Sequence, residues 1–166
     1  MGIREKINEN PKPYIIGASV VIVLALVVII WSMVGGGGPA AGDSGKAYFS
    51  EDDGASTFEA GYEKLGDPNF KGPNGKEAVL ARMYQYPGEK PFVAYLESYT
   101  PAGKEKLTEY YKDPKNNGTP PPDAQVELER LIKKPGAGNW LKYGDAGEVL
   151  TLQPKNGVMP TAVMPK

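Results

Sequence analysis

Neither cysteine nor histidine occurs anywhere in the sequence. Their joint absence removes the ordinary zinc ligand sets, the common histidine axial ligand of haem, and every Ser-His-Asp or Cys-His nucleophile. It also removes disulfides, on which a secreted animal module of this size would lean, and leaves a bacterial envelope protein open. An excess of one charge is missing as well. The 19 basic and 20 acidic side chains leave a formal net charge of −1, and they are mixed along the chain, so the basic footprint of a nucleic-acid binder is absent. No cofactor, no metal site and no nucleic-acid partner is expected.

One long stretch lacks charge altogether. Tyr14 to Val34 runs 21 residues without a charged side chain, and 13 of them are Ile, Leu or Val. At about 1.5 Å per residue the stretch makes a helix of roughly 31 Å, the hydrocarbon thickness of a bilayer. Insertion is favoured by roughly 4 to 8 kcal/mol as an upper bound. Tyr14 and Trp31 stand near its two ends as membrane-interface anchors, and Pro11 and Pro13 precede the first hydrogen-bonded turn, where a missing N–H costs nothing. Arg4, Lys6 and Lys12 precede the stretch, whereas Lys46 is the only basic residue between Val34 and Lys64. The imbalance predicts one crossing, with residues 1–13 cytoplasmic and the C-terminal domain on the far side; in a bacterium, the setting that the resemblance given below implies, this is the inner (cytoplasmic) membrane with the domain periplasmic. A cleaved signal peptide is the competing reading, but its apolar region is shorter and lies closer to a small-residue cleavage site. Met1-Gly2 raises myristoylation, yet Lys6 stands where Ser or Thr is wanted.

Residues 35–45, GGGGPAAGDSG, read as a flexible linker with an r.m.s. reach of roughly 17 to 20 Å. Residues 46–153 are enough for one small extracytoplasmic domain, and 154–166 read as a flexible C-terminal tail. Ala47 to Ser50 predicts a strand, Glu51 to Gly54 a turn, and Ala55 to Phe58 a return strand. Ala60, Tyr62 and Leu65 suggest a helical turn, and Phe70 a lone anchor for the turn-rich segment around it. The firmest pattern is a β-hairpin joining 78–86 to 91–99 across Pro87-Gly88-Glu89-Lys90. On its second arm Phe92, Ala94, Leu96 and Ser98 share one face and Val93, Tyr95, Glu97 and Tyr99 the other.

Thr100 and Pro101 fit the N-cap and first position of a helix over 101–112, with Leu107 and Tyr111 packed on the hairpin. Asp123 to Lys134 reads as a strand, since Val126 to Glu129 alternates and leads into Pro135-Gly136, although Asp123 could instead cap a helix carrying Val126, Leu128, Leu131 and Ile132. Trp140 to Tyr143 and Glu148 to Gln153 are two further short strands. The fold class is α+β: an N-terminal single transmembrane helix, a Gly-rich tether, and a small antiparallel-sheet domain with one or two short helices.

Chemistry-bearing patterns are few. Glu51, Asp52 and Asp53 are adjacent, so their side chains diverge and lack the alternating spacing of a calcium loop. Asn117-Gly118-Thr119 fits the N-glycosylation pattern and is also ordinary loop material. A carboxylate-dependent hydrolase would pair Asp52 or Asp53 with Glu97, since such chemistry needs neither His nor Cys. No catalytic residue is assigned. Tyr95, Tyr99, Tyr110, Tyr111 and Trp140 supply a possible interaction surface with polar handles, and also suit a small core. The expected function is a membrane-anchored, non-catalytic interaction or accessory subunit of a bacterial envelope assembly, whose partners are the lipid bilayer and an envelope or membrane protein. A small ligand-binding envelope module is the alternative.

GIREKINENP before the membrane stretch, Ala47 to Gly54, Lys90 to Thr100, and Lys133-Lys134-Pro135-Gly136 before Trp140 together resemble uncharacterised single-pass membrane proteins of the planctomycete type. The resemblance implies an envelope location and no activity.

Overall fold

A computed structural model describes residues 45–166. The expected cytoplasmic flank, the membrane helix with Tyr14 and Trp31, and the linker up to residue 44 lie outside the described residues. Among the described residues no helix is long and apolar enough to cross a membrane.

The described part is a small α+β domain on one antiparallel sheet. Its strands are β1 (Lys46–Ser50), β2 (Phe58–Gly61), β3 (Val79–Gln85), β4 (Phe92–Tyr99), β5 (Arg130–Lys133), β6 (Leu141–Lys142) and β7 (Thr161–Val163). They lie in the order β2-β1-β3-β4-β5-β6, with β7 beside β3. The hairpin of β3 and β4 forms where alternation and Pro87-Gly88 place it. Gly88 takes φ 77°, a left-handed turn conformation that a side chain would strain.

Pairing runs from Leu80↔Glu97 to Arg82↔Tyr95, then steps to Met83↔Val93 and Tyr84↔Phe92. Ala94 is thus an extra residue, and a bulge interrupts strict alternation. Phe92 thereby joins the face of Tyr95 and Glu97 and stacks on Tyr86 at 5.5 Å, while Val93 moves to the opposite face. This corrects the face assignment expected for these two residues.

The core lies on the face of β1, β3 and β4 that carries Ala47, Phe49 and Leu80, all buried together with Tyr62. Phe70 is the expected anchor: its ring meets Phe49 edge-on at 5.1 Å. The helical turn forms at Tyr62–Gly66 as a 3-10 segment. It closes against helix α1 (Pro101–Tyr110) at Gly66, where a Cβ would stand 2.8 Å from the Leu107 carbonyl oxygen.

Helix α1 begins as its sequence dictates. Thr100 Oγ1 accepts from the Gly103 N–H at 3.2 Å, donates to a Glu129 carboxylate oxygen, and precedes Pro101 at the first position. Thr100→Ala removes a cap and leaves Glu129 short of a donor, so a loss of about 1 kcal/mol is expected, read as faster amide exchange in the first turns of α1. Unchanged exchange there would show that the cap carries no stability.

Four sequence expectations are corrected. The return strand is β2 at Phe58–Gly61 rather than Ala55 to Phe58, because the Ser50, Asp52 and Ser56 hydrogen bonds consume the intervening residues as loop. Of the strand expected over Asp123 to Lys134 only Arg130–Lys133 forms, as β5; before it, helix α2 (Asp123–Val126) leads into a 3-10 turn at Glu127–Glu129. In a strand Val126 and Leu128 would face the same way. Here Val126 is buried against Tyr99 and Leu107 while Leu128 is 89% exposed. Residues expected as a strand over Glu148 to Gln153 instead hold helix α3 (Gly147–Leu150), whose adjacent Val149 and Leu150 both pack with Ile132 and Ala146. The tail contains β7, which pairs Thr161 to Val163 with Gln85 to Met83 and seats Met164 on the Phe49 cluster. β1 pairs with only Val79 and Leu80 of β3, so the remaining edge is available to it.

Candidate functional site

Two polar constellations occupy opposite faces of the sheet. Glu97, near the middle of β4, is 1% exposed. Its carboxylate accepts from Arg82 Nε at 2.9 Å and from the Tyr99 hydroxyl at 2.7 Å, and Arg130 Nε lies 3.3 Å away. The arrangement follows from register: Glu97 stands opposite Leu80 and Ile132, and Arg82 and Arg130 are each two residues along the neighbouring strands on the same face.

Burial acts against the charge on Glu97, but Arg82 and then Arg130 outweigh it and hold the carboxyl below its ordinary value. Burial and the adjacent carboxylate push the Tyr99 hydroxyl well above its own. Arg130 in turn lies over the Tyr143 ring at 4.9 Å. The cluster is closed: one carboxylate is shared by two guanidinium groups drawn from the neighbouring strands, an arrangement chemically suited to holding strands together. Nearby, burial pushes the Tyr62 hydroxyl above its ordinary value, with the Arg82 guanidinium acting in the opposite direction.

The other face carries an open groove of about 230 Å³, floored by Ser50, Val79, Leu96 and Ser98 and walled by Glu51, Asp53, Glu77, Lys133 and Trp140. Lys133 Nζ pairs with Asp53 Oδ1 at 2.6 Å and sits 5.2 Å from the centre of the Trp140 ring. Asp53 also accepts from the Gly136 N–H at 2.7 Å, and these two donors, Lys133 first, hold its carboxyl below the usual range. They also fix Asp53 in a left-handed backbone conformation, φ 61°, that an aspartate tolerates only when its surroundings over-determine it.

The acidic triplet diverges, as adjacent residues must. Glu51 binds the Asn74 N–H, Asp53 binds Lys133, and Asp52 is held down to about 2 by Ser56 and Ser50. Among the described residues no three acidic side chains gather as a metal site would require. The pairing of Asp53 with Glu97 does not occur. Lys133, which holds Asp53, stands opposite Leu96, so Asp53 and Glu97 are on different faces of β4.

The residues proposed as a contact surface separate into three groups. Tyr95 and Tyr99 are 7% and 4% exposed and belong to the core, which removes them from any contact surface. Tyr110 and Tyr111 meet edge-on at 4.9 Å, and their hydroxyls tie down the following loop at Thr119. Trp140 is half-buried, and it plugs no core cluster but forms the groove wall. Lys133 and Ser98 were missed by sequence reasoning. Only the register of β5 against β4 brings them beside Trp140. Comparison with protein-family models, curated proteins and solved structures finds no match to this chain.

Proposed function

We propose that the protein is a non-catalytic interaction subunit of a bacterial envelope assembly, anchored by Tyr14 to Val34 in the inner membrane, with the sheet domain periplasmic. The planctomycete-type resemblance belongs to the same proposal. The observation that carries it is the Trp140 groove: a half-buried indole beside paired Lys133 and Asp53, on the face opposite the one where the helices of the described residues pack against Tyr95, Tyr99 and Ile132. Aromatic anchors with polar handles supply contact energy disproportionate to their number at protein interfaces. The groove is smaller than the roughly 300 to 1,000 Å³ of small-molecule sites. Its size favours a segment of a partner chain over an engulfed ligand. The sealing of Glu97 between two arginines supports the non-catalytic reading, since that carboxylate has no access to a substrate.

The test places a photo-crosslinking amino acid at Trp140, and separately at Glu105 on the exposed side of α1, in native membranes. Capture of one neighbour from position 140 and not from 105 is expected. Equal capture from both positions, or from neither, contradicts the proposal. Saturable change of Trp140 fluorescence with a small molecule would select the ligand-binding alternative.

A further inference from the structure

Residues 158–166 lie against the sheet as a bound peptide would. β7 pairs with β3 alone, through Gln85↔Thr161, Tyr84↔Ala162 and Met83↔Val163. Beside it Met164 packs on the Phe49 cluster and Pro165 is buried. The hollow bounded by Val163, Met164 and Pro165 on one side and Ala47, Tyr62 and Leu80 on the other is only about 10 Å³, room for one water at most. The seat fits its occupant closely. Little else holds the segment. Between helix α3 and β7, residues 151–160 form one isolated bridge, Lys155↔Val158, around a turn at Asn156-Gly157 with φ 52° and 76°. The Tyr86 hydroxyl donates to the Gln153 carbonyl at 2.6 Å, and Lys155 pairs with Glu89. Both ties are exposed, where such contacts add little stability. β3, by contrast, keeps β4 along its other side and β1 at Val79 and Leu80 whether or not β7 is in place.

We infer that residues 158–166 are a releasable strap over a strand-acceptor groove: the strap opens while the rest of the sheet stays folded, and the vacated β3 edge then takes an extended segment of the same sequence. Elements with few buried contacts open before the whole domain does, and an unpaired strand edge is a template for another strand. Closed, the strap blocks that edge to any other segment. Asn156 to Pro165 carry no charge, and Val-Met-Pro occurs twice among them, at 158–160 and 163–165. Val158 and Met159 are 46% and 53% exposed, whereas Met164 is seated on the core. Identical tripeptides are thus told apart by register alone, which makes the seat's selectivity testable.

The probe is a labelled peptide of residues 158–166, VMPTAVMPK, offered in detergent to the chain from Met1. A chain ending at Gly157 should keep its β4 and β5 amides protected and bind the peptide saturably. The parent should bind it at least about tenfold more weakly, the factor lost by an acceptor that is open a tenth of the time or less. Gln85→Cys joined to Thr161→Cys by a disulfide should abolish binding, since opposed strand residues lie within disulfide reach; no other cysteine competes. Met164→Asp in the peptide should weaken its binding to the shortened chain about tenfold or more, and Met159→Asp should not. Unfolding of the shortened chain overturns the inference, as does its failure to bind the peptide. Parent or disulfide-closed chain binding as tightly as the shortened one, or equal effects of the two peptide substitutions, overturns it too. None of these changes lies in the Trp140 groove, so strap release and partner capture are read separately.

Discussion

Replacing Glu97 with alanine is expected to cost the domain about 3 to 5 kcal/mol, the usual consequence of removing one partner from a buried ion pair. The loss is large because Arg82 and Arg130 both remain: their side chains are 11% and 8% exposed and cannot turn out to water without leaving β3 and β5. Tyr99 loses its acceptor as well. A domain of this size holds only about 5 to 15 kcal/mol of stability in all. The expected readout is the slowest amides of β3 and β4 in native-state hydrogen exchange, falling by that amount. A drop below about 1 kcal/mol would mean that the arginines find water or another partner.

The pH dependence carries a definite sign. Glu97 has its folded pKa depressed, so its contribution is fully present above the ordinary carboxylate pKa, about 4, and is lost as pH falls through the folded value. The parent domain should lose this contribution in acid, whereas Glu97→Ala should show a flatter profile there.

Phe49→Ala is the second large effect, about 3 to 5 kcal/mol. Phe49 is fully buried, meets Phe70 edge-on at 5.1 Å and lies 6.1 Å from Phe58, so its removal empties the point where β1, β2 and the Phe70 segment converge. Amides of β1 and β2 should exchange fastest in the variant, with protection at the far end of β4 and β5 less affected. Uniform loss across the sheet would instead show that the two ends unfold as one unit.

How far the residues themselves announce the fold depends on how local the deciding interaction is. The β3–β4 hairpin and the Thr100 cap are specified within a few positions, by alternation around Pro87-Gly88 and by a hydroxyl three residues before an N–H, and both form as read. Phe70 was legible because a lone aromatic among turn formers has little else to do. The β4 bulge was not, since Phe92, Val93 and Ala94 are all apolar and nothing in that run marks where the alternation changes phase. Val126 and Leu128 look equivalent in sequence, and only the packing of Val126 against Leu107 separates them. β7 pairs just three residues with a strand some eighty positions earlier, a contact no local pattern announces. The Glu97 cluster and the Trp140 groove are of this second kind. Each is assembled by strand register from residues that are unremarkable one at a time.

The buried triad also bears on which sheets the chain can build in error. Sliding β4 by one residue against its neighbours exchanges the two faces of the strand. Glu97 would then emerge beside Ser50 and Lys133, Leu96 would turn to the opposite face, and two guanidinium groups would be left facing apolar side chains. With an apolar residue at position 97 the slipped sheet would differ from the native one mainly in packing. With a carboxylate there, misregistered competitors carry two uncompensated cations, and the gap separating them from the native arrangement widens accordingly.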